Sequence, residues 1–200
     1  MSALPNPLRF DLQQIADWIP PGAHVLDLGC GDGSLLSWLR QHKQCSGYGV
    51  EIDDANVLTC VRSGVDVIQQ NLDAGLALFA DRSFDVVVLS QTLQAMHNTE
   101  SILREIARVG KQGIVSFPNF GYWRHVVSIV RGRMPVSRQI PYQWYDTPNI
   151  HLCTLKDFEK LADKIGLDII ARAAYDNGAP VRVLPNLRST LALYRFGVSI

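Results

Sequence analysis

The stretch VLDLGCGDGSLL, Val25 to Leu36, constrains this chain more than any other. An apolar strand runs into closely spaced glycines and then into an amphipathic helix, an arrangement that presents backbone N–H groups to a nucleotide. Strand and helix patterns alternate around it. HVLDL and GYGVEID read as strands flanking a helix from Gly33 to about His42, with Leu35, Leu36 and Leu39 inward. A helix through Val57, Leu58 and Val61 leads to a third strand, VDVIQQN. FDVVVLS, Phe84 to Ser90, is continuous and β-branched, as a strand covered on both faces must be. SILREIARVG gives a helix ended by Gly110, and GIVSFPN a fifth strand. Ahead of the glycines, Leu12, Ile15, Ala16 and Ile19 recur at helical spacing before Pro20-Pro21-Gly22. Such alternation predicts an α/β fold with a doubly wound, mostly parallel sheet.

The regularity lapses from Phe120 to Cys153, a stretch rich in Tyr, Trp and Pro. It returns at TLKDFEKLADKIG, where Thr154 and Asp157 predict a capping box and Gly166 a helix end. LDIIARAAY and STLALYRFGV follow as strands, expected as a hairpin-like pair at one edge. With no repeat or linker in 200 residues, the expectation is one domain, 1–200, with an irregular lid or interface segment at about 120–153. MSALPNPLRF has neither the basic nor the apolar region of a signal peptide, and no apolar run suits a bilayer. Cys30, Cys45, Cys60 and Cys153 show no CxxC pairing and read as reduced thiols of a cytoplasmic protein, not as a zinc site.

The spacing of the glycines selects the ligand. A dinucleotide fingerprint is G-x-G-x-x-G, but Gly29, Gly31 and Gly33 form G-x-G-x-G, with Ser34 at the third-glycine position. Asp27 and Asp32 would oppose a pyrophosphate, whereas an ammonium and a sulfonium suit them. S-adenosylmethionine carries both. Glu51 ends the second strand, where a carboxylate can accept both ribose hydroxyls and would repel a 2′-phosphate. Asn71 ends the third strand, where its amide can meet the adenine edge, with Asp73 able to share that task. Ser90, Gln91 and Thr92 close the fourth strand, as ligand contacts or as a polar turn. The candidate cofactor-binding set is Asp27, Gly29, Cys30, Gly31, Gly33, Glu51, Ile52, Asn71, Leu72 and Ser90. S-adenosylmethionine or S-adenosylhomocysteine is the expected cofactor.

On VLDLGCGDG, GVEID and FDVVVLSQTL the chain resembles the class I S-adenosylmethionine-dependent methyltransferases. That resemblance implies a seven-stranded, Rossmann-like sheet whose last strand inserts antiparallel. LSQTLQA at 89–95, SFPNFGYWR at 116–124 and RGRMPVSRQIPYQWYDTPNIHLCTLKDFE at 131–159 resemble the methionine-biosynthesis MetW family. What this implies is methyltransferase architecture together with binding and activation of a homoserine O-acyltransferase. The adenine-facing position, often Asp in the wider superfamily, is Asn71.

No catalytic residue is assigned. His151 is the best-placed weak candidate for a base, ahead of Asp146, while His97 and His125 read as surface or interface histidines. Positioning can supply much of the acceleration of methyl transfer, so a missing base does not exclude it even though oxygen and nitrogen acceptors often benefit from one, and catalysis on a small molecule stays open as the alternative. FPNFG lacks the second proline and the Asn order of an NPPY acceptor motif. Arg124, Arg131, Arg133 and Arg138 lie among aromatic residues and read as a protein interface or lid. Lys plus Arg equals Asp plus Glu at 19 each, and no second basic patch exists, so a nucleic-acid partner is not expected. No membrane partner is expected either.

Overall fold

The structure is a computed structural model and describes residues 8–198. Most of MSALPNPLRF, read above for a leader, lies outside the described residues, as do both ends of the 1–200 domain expectation. In chain order the elements are α1 (Phe10–Trp18), β1 (His24–Leu28), α2 (Ser34–Lys43), β2 (Ser46–Glu51), α3 (Asp54–Arg62) and β3 (Val67–Gln69). Then come β4 (Phe84–Ser90), α4 (Thr99–Val109), β5 (Gly110–Pro118), α5 (Trp123–Val130) and α6 (Leu155–Lys164). The chain closes with β6 (Leu167–Asp176), β7 (Ala179–Pro180), α7 (Pro185–Arg188) and β8 (Leu191–Val198).

These strands form an eight-stranded sheet in the order β3-β2-β1-β4-β5-β8-β6-β7. β3, β2, β1, β4 and β5 run parallel, and β8 enters antiparallel between β5 and β6. The expected doubly wound sheet with an antiparallel last strand is therefore present. Two details differ. The eighth strand is the two-residue β7, too short to leave a periodic signal. The final pair does associate antiparallel, but β8 is interior, because its apolar run LALYRF requires cover on both faces. VDVIQQN supplies only the three residues of β3, an edge strand with one neighbour.

Each face of the sheet buries one apolar cluster. On one face Ile15 of α1, Leu35 and Leu39 of α2 and Cys60 of α3 pack against Val25, Val86 and Val88. On the other, Ile102 and Ile106 of α4 and Phe158 of α6 pack against Leu26, Val87, Phe117 and Tyr194. Each such side chain contributes roughly 1.5–3 kcal/mol by leaving water. The capping box of α6 forms as expected, with the Thr154 side chain accepting from the Asp157 N–H and the Asp157 carboxylate accepting from the Thr154 N–H.

The strand order reverses between β1 and β4, so a crevice opens at their carboxyl ends. The glycine loop leaves β1 there, and Ser90-Gln91 leaves β4 beside it. Among the described residues no helix is long and apolar enough to cross a membrane.

Candidate functional site

The glycine loop is held by backbone bonds before any side chain is considered. The N–H groups of Gly29 and Cys30 donate to the Val50 carbonyl at 2.8 and 3.1 Å, tying the loop to β2. Gly29, Gly31 and Gly33 all have positive φ, at 70°, 56° and 74°. A side chain at Gly33 would meet Cys60 Sγ at 2.9 Å, so this glycine lets α2 close on its neighbours. A Cβ at Gly31 would meet nothing within 4 Å: it points into open space. Cys30 and Cys60, far apart in sequence, bring their sulfurs to 3.9 Å beneath the loop.

Glu51 joins the loop to the next strand end. Its Oε2 accepts from the Gly31 N–H at 2.8 Å, and its Oε1 accepts from the N–H groups of Ile52 and Asp53 at 2.7 and 3.0 Å. A carboxylate has about four lone-pair sites. The three backbone bonds leave room for a single ribose hydroxyl, where the sequence suggested two. Asp27, 3% exposed, sits in the strand below. Burial, with help from the nearby charge of Glu51, pushes its pKa up to about 7, opposed by Arg9. A buried carboxyl that titrates near neutrality is suited to facing a cation.

A groove of about 750 Å³ runs along the loop. Of the expected set, Asp27, Gly29, Cys30, Gly31 and Ser90 line it, and Gly33, Glu51, Ile52, Asn71 and Leu72 do not. Asn71 is exposed and its Oδ1 accepts from the Asp73 N–H at 3.0 Å, capping a short helical turn over Leu72–Ala74. The Asp73 carboxylate accepts from the His97 N–H at 3.0 Å and lies 2.7 Å from its Nδ1. Asn71 and Asp73, expected at the adenine edge, are thus engaged by protein partners.

The histidines scatter. His151 is exposed, with Nε2 3.3 Å from the His97 carbonyl oxygen, and lines a separate apolar cavity with Leu93, Phe158 and Leu161. The structure does not bring it to the glycine loop. His125 is not on the surface: it is buried between the rings of Phe120 and Tyr122 at 5.6 and 5.4 Å. Burial lowers its pKa and favours the neutral ring. It is buried because the first turn of α5 sits directly on the FPNFG corner. In that corner Asn119 is spent structurally, donating to the carbonyls of Asn186 and Ser189 at 2.9 and 2.8 Å and accepting from Gly121 at 2.9 Å. Asp146 is exposed and does not line the groove.

Sequence reasoning missed a cluster at the groove's edge. Asp11, 3% exposed, accepts from Arg9 Nε and Nη2 at 2.6 and 2.9 Å and from the Gln91 side-chain amide. Gln91 is held at φ 50°, an uncommon conformation for a non-glycine residue. Asp11 was detectable: it shares a helical row with Ile15 and Ile19, so an acid faces the core. The surface beyond is the reverse of an ordinary helix face. α5 leaves Trp123, Val126, Ile129 and Val130 exposed, and Trp144 and Tyr145 are 72% and 71% exposed. Arg124 stacks on the Trp123 ring at 5.2 Å.

This architecture is shared with solved structures. One described as a SAM-dependent methyltransferase from Archaeoglobus fulgidus superposes with a TM-score of 0.70 at 13% identity, covering 93% of this chain and 90% of that one. Another, from Mesorhizobium loti, gives 0.67 at 17% identity and covers 92% and 99%. The fold is that of the class I S-adenosylmethionine-dependent methyltransferases. The family described as Methionine biosynthesis protein MetW matches residues 9–196, and the chain belongs to that family. A relative from Rhodopirellula baltica, the bifunctional methionine biosynthesis protein MetXA/MetW, is 36% identical over 94% of this chain and 33% of its own length. A ubiquinone biosynthesis O-methyltransferase from Hahella chejuensis is 33% identical over 54% of this chain and 47% of its own. The chain thus spans a third to about half of the length of these relatives.

Proposed function

We propose that this chain binds S-adenosylmethionine in the groove at the carboxyl ends of β1 and β4, and that it partners with and activates a homoserine O-acyltransferase. The groove fits the ligand on two counts. Gly31 offers open space where any side chain would project, and Asp27 offers a buried carboxyl for positive charge. Its volume is within the range of small-molecule sites. Asp27, Gly29, Cys30, Gly31 and Ser90 would hold the ligand from the groove, with Glu51 reaching one ribose hydroxyl. Ile52, Leu72 and Asn71 would flank the adenine, which requires Asn71 to use its side-chain N–H₂. When bound, the ligand supplies an electrophilic methyl group on a sulfonium.

The observation that carries the partnership is the bifunctional relative, in which a segment like this chain is joined to one named MetXA. The apolar face of α5 and the exposed aromatics of 120–153 supply a surface of the composition protein interfaces use. Tagged acyltransferase should retain this chain on co-purification, and its rate should rise when the chain is added; equal rates with and without it would sink the activation. Ligand occupancy regulates the pair only if S-adenosylmethionine binds the free and complexed chain with different affinity. An unchanged chain–acyltransferase affinity at saturating ligand would remove that coupling.

A second reading, methyl transfer to a small molecule, is favoured by a cavity of about 690 Å³ that shares Arg9 and Gln91 with the groove. Release of S-adenosylhomocysteine on incubation with cell metabolites distinguishes it. On either reading we take the described residues to act as one domain, in the cytoplasm.

A further inference from the structure

We infer that this second cavity is a binding site for a small, singly charged carboxylate with an amide or hydroxyl body, gripped by Arg138. The inference concerns binding alone and holds whether or not the groove takes S-adenosylmethionine. Five parts of the chain meet around the cavity: the start of α1, the turn after β4, residues 138–149 of the irregular segment, the β6–β7 turn and the start of β8.

Charge accounting selects the ligand. Arg9 and Arg138 line the cavity, and Asp11 is the carboxylate that lines it. Asp11 is already neutralised by Arg9 and further committed to Gln91. Arg138 has no hydrogen bond or ion pair among the described residues, so one positive charge is left over at the cavity wall. A guanidinium fork matches a carboxylate in shape as well as charge. A zwitterion is disfavoured, because its ammonium would find the Asp11 oxygens taken. A polyphosphate is disfavoured, because a single surplus cation cannot neutralise it. Gln139, Asn149 and Asn177 add amide groups to the wall, and Phe10, Tyr142 and Tyr175 add ring surface. Those features suit a short polar body lying on an aromatic face.

The site also has a consequence for the surface. Arg138, Tyr142 and Asn149 belong to the same segment that carries Trp144 and Tyr145, whereas Gln91 belongs to the groove. A carboxylate held by Arg138 therefore lies in a cavity whose wall includes both the groove residue Gln91 and the segment proposed for docking.

The test uses the full chain, with N-acetylglycine as probe and N-acetylglycinamide as its uncharged counterpart, followed by amide NMR. N-acetylglycine should bind with a Kd on the order of 1–10 mM, as expected for so few atoms, and at least about fivefold more tightly than the amide. Shifts should centre on Gln91, Gln139 and Asn149. Arg138→Gln should bring the two probes to parity, and since Arg138 is exposed the fold should be unaffected. Arg131→Gln, outside the cavity, should leave the preference intact. Equal binding by the native chain, absence of binding at 50-fold the expected Kd (about 50 mM or more), or a preference that survives Arg138→Gln overturns the inference.

Discussion

The glycine-loop region and the 120–153 segment are built on opposite principles. In the loop almost every polar group is already engaged: Val50, Glu51 and Cys30 take the loop N–H groups, and apolar side chains are inside. The 131–153 stretch has no helix or strand, and is pinned by Pro135 and Ile140 inward and by Gln94, whose carbonyl accepts from Ile150 and His151. Its aromatic side chains face water. A rigid, self-satisfied loop suits a small ligand of fixed shape. An exposed aromatic surface on a loosely tied segment is suited to a macromolecular partner that covers it. On the proposed reading, the groove at the glycine loop and the exposed aromatic surface are separate parts of one chain.

Breaking one region should spare the other. The largest effect is expected at Gly31→Arg: the side chain enters the groove from a φ of 56°, and calorimetry should show S-adenosylmethionine affinity falling at least about 100-fold. Acyltransferase capture without ligand should persist. The converse change, Trp144→Ala with Tyr145→Ala, should weaken acyltransferase binding by roughly 10–100-fold, as for interface aromatics generally. S-adenosylmethionine affinity should be unchanged and stability within about 0.5 kcal/mol, since both residues are exposed.

Asp27→Asn sharpens the comparison within the loop. Ligand affinity should fall about tenfold, the loss of one charge–charge contact of moderate strength. Stability should move the other way. The folded pKa of Asp27 is raised from 3.8 to about 7, so the folded chain holds a proton that the unfolded chain releases. Its contribution is therefore favourable below about pH 4 and is lost as pH rises towards 7, at a cost of no more than about 4 kcal/mol. Thermal melts at pH 8 should show the variant more stable than the native chain. The smallest effect is in the native chain: a bound sulfonium favours ionised Asp27, so affinity should rise severalfold from pH 6 to 8 with proton release, measurable in buffers of different ionisation enthalpy. A flat profile would remove Asp27 from the site.

The parts legible in sequence were those whose chemistry is contiguous. Asp27 and the three glycines lie within seven consecutive residues, 27–33, and β4 and α6 announce themselves by β-branched continuity and by Thr154-Asp157. Arg9, Asp11 and Gln91 were not legible together, because 80 residues separate the partners that meet at the groove's edge. The burial of His125 was hidden for a related reason. α5 carries an apolar stripe that periodicity assigns to the core, yet the helix turns His125 inward and that stripe to solvent. Periodicity reports a face, and the packing of the neighbouring corner decides which way it points.

The most direct measurement follows backbone amide NMR of one sample through two additions, first S-adenosylmethionine and then the acyltransferase. The division of labour proposed above predicts that the ligand shifts Gly29, Gly31 and Ser90, and that the partner broadens Trp123, Trp144 and Tyr145. Ligand shifts centred on 131–153 with the glycine loop unmoved would contradict it.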